Sequence, residues 1–317
     1  MSSLTPNPIK LNYSFMKLFF ISILAVACWI KPAYAQTGGA LNFTNGDYVD
    51  LGPSFNAFNF NNSEFTIETW FKTSMSNGTI ISKRSVCNVS NFWNLRISAG
   101  SIRFEMMEAG GANAVDVSTP LTYNDNTWHH VAVTRSSNAV KIIMDGYVVV
   151  NNTSAANTSL TNTTDPIRIG QSACNNFIGE LDETRIWSEA RTVCEIYENK
   201  DFEFNSTSTT LKFNAHYNQG IAGGSNGAVT SVINSASNGI AGSLVSFALT
   251  GSTSNWVASA CPAQGQSSQP ISISNVSACG GVMGGRLTHL EVDFQPTVWP
   301  GQFCAQGRGD NRACLVV

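Results

Sequence analysis

Side chains that could do chemistry are few in this chain, and two adjacent histidines, His129 and His130, stand out among them. A histidine pair can bind a metal ion, and a single histidine can act as a general base. Adjacent residues of a strand point to opposite faces, so these two cannot bind one ion from a strand. We expect one of them to pack beside Trp128 and the other to lie at the surface. The sequence contains neither an H-E-x-x-H pattern nor a glycine-rich phosphate loop.

An N-terminal segment predicts export. Lys17 precedes an apolar run of 13 residues, 18–30, and Ala-Tyr-Ala at 33–35 is a small-x-small cleavage site ahead of Gln36. The run is shorter than the roughly 20 apolar residues of a membrane-spanning helix. We interpret residues 1–35 as a cleaved secretory signal, with Met16 as an alternative start of translation. The product is then secreted or displayed at the cell surface, with no insertion into a membrane.

The composition excludes two classes of partner and favours a fold made of strands. Without residues 1–35 the chain keeps 15 basic and 21 acidic residues, a net charge of −6, and it has no cluster of Lys or Arg. This balance argues against binding to nucleic-acid phosphates or anionic lipid. Charged residues make up only 12% of the sequence, about half the usual ~25%. Asn, Ser, Thr and Gly take their place, which favours strands joined by many turns.

Seven cysteines remain after signal removal, and in an exported protein they are disulfide candidates. They are Cys87, Cys174, Cys194, Cys261, Cys279, Cys304 and Cys314. None has the C-x-x-C spacing of a zinc site. Because seven is odd, at least one thiol is unpaired or pairs with another chain.

Short β-prone runs separated by turn signals recur along the chain. Asn45-Gly46 and Asp145-Gly146 are tight-turn dipeptides. The first predicts a hairpin of residues 41–43 and 48–51, and the second joins 140–144 to 147–150. Only residues 188–197 resemble a helix, with Ser188 as the N-cap. The pattern predicts an all-β protein, an antiparallel β-sandwich or jelly roll with one short helix.

Two further segments follow the predicted sandwich. Residues 204–258 are rich in Gly, Ser and Asn, and we expect an ordered appended segment because they also contain apolar residues to bury. Residues 259–317 read as a linker and a poorly ordered or truncated tail, with a small disulfide-held unit as the alternative. The predicted division is therefore 1–35, 36–203, 204–258 and 259–317.

Five blocks in order give the chain a family resemblance. It resembles the laminin-G-like jelly roll of secreted bacterial proteins, within the concanavalin A-like lectin/glucanase superfamily, over about residues 38–203. The resemblance implies two stacked antiparallel sheets of about a dozen strands, with Trp70 and Trp128 in the space between them. The blocks are residues 40–51 (ALNFTNGDYVDL), 65–71 (FTIETWF), 127–133 (TWHHVAV), 144–146 (MDG) and 179–187 (GELDETRIW) followed by Ala190-Arg191.

Glucanases of this superfamily carry Glu-x-Asp-x-Glu on one strand, and retaining glycosidases need two carboxylates about 5 Å apart. This chain has Glu180 and Asp182, but Thr184 stands where the second carboxylate is required. Strand alternation places Glu183 on the opposite face. We therefore expect no catalytic residue and no enzyme activity, and a glucanase is the least favoured of three functions.

The resemblance also implies calcium, held where the first hairpin meets the last strand. Calcium takes six to eight oxygen ligands, and Asn45, Asp47 and Asp182 are the candidates. The alternative is that Asp47 only stabilises its turn and that Asp182 pairs with Arg185 or Arg168. By the same resemblance, Cys87 and Cys174 lie in loops beside adjacent family blocks and are the preferred disulfide.

The function expected from these features is a secreted, non-catalytic binding module. Its partner is a glycan or an extracellular protein, and Phe92 and Trp93 are candidate exposed aromatic residues for stacking on sugar rings. The alternative is a structural or adhesive component of a cell-surface assembly.

Overall fold

The computed structural model describes residues 39–261, apart from gaps at 54–57, 59, 88–90, 112, 138, 154–158, 161–163, 204–206, 237–238 and 260, and two strands near the C-terminus. The predicted signal, 1–35, lies outside these residues, as does most of the predicted linker and tail. Within the described part of the chain, no helix has the length and apolar character to cross a membrane.

Strands dominate the described elements. In chain order they are β1 (Gly39–Phe43), β2 (Tyr48–Asp50), β3 (Phe65–Lys72), β4 (Asn77–Lys83), β5 (Phe92–Ser98), β6 (Ser101–Met107), β7 (Ala114–Thr122), β8 (Trp128–Ser136), β9 (Ala139–Met144), β10 (Tyr147–Asn152), β11 (Ile167–Ile169), β12 (Gly179–Trp187), α1 (Val193–Asn199), β13 (Leu211–Ala215), β14 (Ser231–Val232), β15 (Gly242–Val245), β16 (Trp256–Ala258), β17 (Gln302–Gln306) and β18 (Arg312–Val316).

Two antiparallel sheets form a sandwich, as the sequence predicts. The first sheet has the order β10-β9-β8-β3-β12-β1-β16, with β13 beside the other half of β12. The second has the order β14-β15-β2-β11-β4-β5-β6-β7. Strands β17 and β18 pair with each other.

The core lies between the sheets and follows the two-residue period of the strands. Phe65, Ile67 and Phe71 of β3 face Trp93 and Leu95 of β5 in one large apolar cluster. Burying one such side chain stabilises the fold by roughly 1.5–3 kcal/mol. Polar residues lie on the opposite, outer faces of the same strands. We therefore look for a functional site on these outer faces or on the loops.

The two tight turns have different outcomes. Asp145 and Gly146 have φ angles of 53° and 91° and join β9 to β10 in the predicted hairpin. The turn at Asn45-Gly46 also forms, but β1 lies in the first sheet and β2 in the second. The predicted N-terminal hairpin is therefore wrong, because this turn passes the chain from one sheet to the other.

The short helix exists but begins later than predicted. Its N-cap is Thr192, whose hydroxyl accepts from the Glu195 amide while the Glu195 carboxylate accepts from the Thr192 amide. This reciprocal arrangement is a capping box. Ser188, the predicted cap, instead donates its amide to the Thr210 carbonyl.

The segment 204–258 contributes strands to both sheets. β13 pairs with β12, β16 pairs with β1, and β15 pairs with β2. Phe213, Tyr217 and Trp256 from this segment are buried in the main core.

Two tryptophans lie elsewhere than predicted. Trp70 is buried, but it points away from the space between the sheets and packs with Cys261, and Trp128 packs beside it. The reason is the strand period, because the neighbouring Phe71 takes the inward position on β3.

A polar face on the second sheet as the candidate functional site

The outer face of the second sheet carries an unbroken line of polar side chains. Cross-strand register places the members directly beside one another, each pair on adjacent strands. Adjacent strands lie about 4.8 Å apart, so six of them span roughly 24 Å. We call this line the polar row, and it consists of Asp50, Arg168, Ser82, Asn94, Glu105 and Asp116.

Asn94 is the central feature of the polar row. Its strand neighbours Trp93 and Leu95 point into the core, so Asn94 points outward between Ser82 and Glu105. Its side chain is buried, yet neither Oδ1 nor Nδ2 has a hydrogen-bond partner among the described residues. A buried amide left without partners costs about 1–3 kcal/mol. Asn94 is 1% exposed, so a ligand that offers both a donor and an acceptor reaches its amide only if a neighbouring side chain moves aside.

Charges flank Asn94 on one side in alternating order. Arg96 donates from Nε to Glu105 at 2.6 Å, and Arg103 lies 3.3 Å from the same carboxylate. Arg103 also binds Asp116 with two hydrogen bonds. These pairs fix the side chains in place while their remaining polar atoms stay partly open to solvent.

The other side of Asn94 is formed by β11 and β2. Arg168 donates to the Gln171 side chain at 2.9 Å, and its guanidinium lies 4.7 Å from the centre of the Tyr48 ring. Arg168 Nε is 3.5 Å from Asp50 Oδ2 without a formed hydrogen bond. This end of the polar row therefore offers a second unsatisfied donor.

Two loops border the polar row, and a disulfide joins them. The loop after β4 carries Arg84, whose guanidinium lies 3.8 Å from the centre of the Phe92 ring. The loop after β11 carries Gln171, whose carbonyl accepts from Ser82. Cys87 and Cys174, one from each loop, form the predicted disulfide, with their Cα atoms 5.1 Å apart. Cys194 is disulfide-bonded as well.

The aromatic candidates Phe92 and Trp93 are not exposed, so this prediction is wrong. Trp93 is 1% exposed, belongs to the core, and lies 5.8 Å from Phe60 between ring centres. Phe92 is on the outer face but only 3% exposed, since Arg84 covers its ring. Neither ring is available to a sugar in this conformation.

The three candidate calcium ligands are not brought together. Asp182 is three residues along β12 from Gly179, which is the partner of Phe43 on β1. The turn carrying Asn45 and Asp47 lies beyond Phe43, so about 10 Å of strand intervenes, against a calcium–oxygen distance of 2.3–2.6 Å. Within the described residues no cluster of three His, Cys, Asp or Glu side chains suits a metal ion. The predicted ligand set does not fit calcium.

Each of these residues has a local structural partner instead. Asp47 Oδ2 accepts from the amide and hydroxyl of Thr44, so it stabilises its turn as in the alternative interpretation. Asn45 accepts from the Asn176 side chain. Asp182 accepts from the Glu183 amide and from Ser259.

The predicted orientation of Glu183 is wrong because β12 contains a bulge. The register shifts between Asp182 and Arg185, and Glu183 has a φ angle of 47°. One extra residue in a strand resets the alternation of side chains. Glu183 therefore binds Arg185, at 2.8 Å, and His216, at 2.7 Å, on the same outer face of the first sheet as Asp182.

These acids belong to a buried structural cluster. Glu68, on β3, accepts from the Trp187 indole, and Arg185 donates to the carbonyls of Asn199 and Phe202. The segment after α1 thus lies over the charges, and Trp70 donates to the Lys200 carbonyl at 2.6 Å. Asp182 and Glu183 are each at most 3% exposed, so no substrate reaches this pair in the structure.

The histidines face opposite ways, as predicted. His130 is buried, with its ring 5.4 Å from that of Trp70 and its Nε2 3.5 Å from Glu68. His129 points to the other face and lies between Asp145, at 3.0 Å, and Asp125, at 3.3 Å. The hydrogen bond to Asp145 is the main cause that raises the pKa of His129.

The sequence contains one motif of catalytic serines, but the structure around it is not the one that this motif requires. Residues 223–227 read Gly-Gly-Ser-Asn-Gly, the G-x-S-x-G pattern of a nucleophile elbow. That motif requires a strand followed by a sharp turn and a helix. Here Ser225 lies between two turns, with Asn226 holding the loop through Ile221.

Fold and site together define an antiparallel β-sandwich with a polar outer face. Residues 43–197 match a laminin G family model described as the concanavalin A-like lectin/glucanases superfamily. Over this segment, the chain is similar to the laminin-G-like jelly-roll domains of that superfamily.

Solved structures match parts of this chain at low sequence identity. A candidate carbohydrate-binding protein from Bacteroides ovatus is 18% identical, with a TM-score of 0.50 over 66% of this chain and 58% of that protein. The IT-sialidase CBM40 of Ruminococcus gnavus is 16% identical, with a TM-score of 0.43 over 50% of this chain and 94% of the module. The LG1-3 region of the laminin alpha2 chain is 16% identical, with a TM-score of 0.40 over 50% of this chain and 33% of that region.

Proposed function

We propose that the protein is a secreted, non-catalytic module that binds carbohydrate along the polar row. The observation that carries the proposal is Asn94, a side-chain amide with an unsatisfied donor and acceptor in the middle of a polar face. Because Asn94 is 1% exposed, the proposal requires a partly exposed neighbour in the polar face to move aside when the ligand binds. Two neighbouring sugar hydroxyls can satisfy both atoms, one donating to Oδ1 and the other accepting from Nδ2. The carbohydrate-binding role proposed for the Bacteroides ovatus protein, which shares the fold, is consistent with this.

The neighbours of Asn94 suit the same ligand. Arg96, Glu105 and Arg168 supply further donors and acceptors at fixed positions, and their mixture of signs matches a neutral or weakly charged polyol. Their existing ion pairs limit the side-chain ordering that binding would otherwise require. Secretion is consistent with the disulfides and with the predicted signal.

The test is a glycan array followed by titration of the best oligosaccharide. Asn94→Ala should weaken binding at least tenfold and leave thermal stability unchanged or raised, because the substitution removes an unpaired buried amide. Asn151→Ala, at an exposed position of β10, is the matched control and should bind normally. The proposal would be overturned if the protein bound no glycan on the array or if Asn94→Ala bound with unchanged affinity.

Calcium is the second variable of the same experiment. Because Asn45, Asp47 and Asp182 are separated and bonded elsewhere, we expect the same affinity in calcium and in EDTA. Binding that disappears in EDTA and returns with calcium would show that another set of oxygens holds the ion.

A further inference from the structure

An exposed aromatic pair lies outside the polar row. Tyr147, at the start of β10, is 42% exposed, and Tyr197, on α1, is 37% exposed. They are the only aromatic members of the exposed large apolar side chains in the described part of the chain. Their ring centres are 6.0 Å apart with an interplanar angle of 69°. Two elements distant in sequence thus present their exposed rings at one place.

The backbone at Gly146 leaves room for the ring of Tyr197 to lie close to it. Gly146 has a φ angle of 91°, and a Cβ atom added there would lie 2.6 Å from Tyr197 Cδ2. Any larger residue at 146 would push the ring of Tyr197 away. Burial is the main cause that raises the pKa of Tyr197, and its interaction with Tyr147 adds to this effect. The pair is therefore a fixed surface feature.

Charged groups border the aromatic pair. Lys200 Nζ lies 5.5 Å from the centre of the Tyr197 ring and 2.7 Å from the Asp201 carboxylate. The Asp201 side chain is 42% exposed, and Glu198 is exposed on α1. The surface thus combines apolar ring faces with a cation and two acids.

We propose that Tyr147, Tyr197 and the Lys200–Asp201 ion pair form a second carbohydrate site, which takes a neutral pyranose ring. A pyranose has an apolar C–H face and an edge of hydroxyl groups. Exposed tyrosine rings contact the former, and a carboxylate and an ammonium bind the latter. Asp201 and Glu198 outnumber Lys200, so a uronic acid or a sulfated sugar would meet repulsion.

The second site is separate from the polar row. Helix α1 packs on the outer face of the first sheet, where Ile196 contacts Ala132 and Ile143. Asn94 lies on the outer face of the second sheet, across the core. The site does not depend on the proposed function of the polar row, and a protein with both sites would link two glycan chains.

The experiment titrates the protein with neutral cello-, xylo- and manno-oligosaccharides in the wild-type and Asn94→Ala backgrounds. Tyr147→Ala/Tyr197→Ala should weaken binding of a neutral oligosaccharide at least tenfold in both backgrounds. Leu121→Ala, which removes another exposed apolar side chain, is the matched control and should have no effect. Tryptophan emission should report the binding, since Trp70 donates to the Lys200 carbonyl. Tyr147→Ala alone and Asp201→Asn serve as milder variants if the double variant unfolds.

The outcomes separate the two sites. Loss of binding in the tyrosine variants with normal binding by Asn94→Ala supports the second site and overturns the polar row. Loss only in Asn94→Ala overturns the second site and supports the polar row. Loss in both sets of variants supports both, and no binding by the wild type overturns both.

Discussion

At the scale of single residues, Glu68 and Asp182 have strongly shifted pKa values, and both belong to the buried structural cluster of the first sheet. Burial alone would raise the pKa of Glu68, but the hydrogen bond with His130, the charge of Arg185 and the Trp187 indole outweigh it. The pKa of Glu68 therefore falls from 4.5 to about 2. Asp182 shows the opposite shift, because burial and the adjacent Glu183 charge raise its pKa well above 3.8.

Glu68→Gln should destabilise the protein at neutral pH. A carboxyl whose pKa is lowered in the folded state stabilises it above the unfolded value, and this contribution is lost as pH falls from about 4.5 towards 2. The difference between the two pKa values corresponds to ~3 kcal/mol. Urea unfolding should show the full loss for the variant at pH 7 and less than about half of it at pH 3, because wild-type Glu68 is still mostly ionised in the folded state at that pH. Glu180→Gln, which breaks the partly exposed pair with Lys72, should change stability by less than about 1 kcal/mol. Equal losses for the two variants would contradict this assignment.

Asp182→Asn should have the reverse pH dependence. Because the folded pKa is raised, the wild type loses stability as pH rises from about 4 towards that pKa, by about 1.4 kcal/mol for each step of one in pH. The neutral amide does not incur this loss. We expect the variant to match the wild type below pH 4 and to exceed it in unfolding free energy at pH 8. A variant less stable than the wild type at pH 8 would indicate that the ionised carboxylate has a partner, such as a cation.

Among the elements, the two loops bordering the polar row depend on the Cys87–Cys174 disulfide. The bridge closes a sequence separation of 87 residues, for which chain entropy gives about 4.6 kcal/mol. Cys87→Ser/Cys174→Ser should lower the free energy of unfolding by roughly 2–4 kcal/mol. Because Arg84 and Gln171 lie on these loops, the variant should also bind glycan more weakly at the polar row.

Chemical denaturation and glycan titration of this double variant test both effects. Titration at the Tyr147–Tyr197 surface is the internal control, since neither loop contributes a residue to it. Full affinity at the polar row, together with the expected loss of stability, would show that the bridge acts on the fold alone.

Elements were predictable from the sequence where local chemistry decides them. The β9–β10 hairpin follows from Asp145-Gly146, because few residue pairs accept two positive φ angles. The sheet to which β2 belongs was not predictable, since the turn at Asn45-Gly46 fits both a hairpin and a crossing between sheets. The bulge at Glu183 was not predictable either, because a prediction from alternating side chains assumes that the strand register is unbroken.

The candidate site was only partly predictable. The disulfide followed from the family resemblance, but Asn94 was missed because an asparagine in a strand has no distinctive local pattern. A signal existed in the alternation of β5, where Trp93 and Leu95 point inward and Asn94 must point outward. Its lack of partners depends on β4 and β6, and those pairings come from the whole sheet.

For the whole molecule, the sandwich is a larger unit than the segment that carries the family resemblance. The first sheet is completed by β13 and β16, and the second by β14 and β15. Both sheets therefore depend on residues after 203. The polar row and the aromatic pair lie on opposite sides of this shared core, so loss of the later strands affects both.

A chain that ends at residue 203 should not fold. It would lose Phe213, Tyr217, Val232, Leu249 and Trp256 from the main core. At roughly 1.5–3 kcal/mol for each buried side chain, this loss is comparable to the whole stability of a typical domain, about 5–15 kcal/mol. The edges of β1, β2 and β12 would also be left unpaired, which favours aggregation. A chain that ends after residue 261 retains all these strands and is the matched control. Near-ultraviolet circular dichroism and urea unfolding should show a cooperative transition for the longer chain and none for the shorter. A cooperative transition in the shorter chain would instead place the domain boundary at 203 and make residues 204–258 a separable appendage.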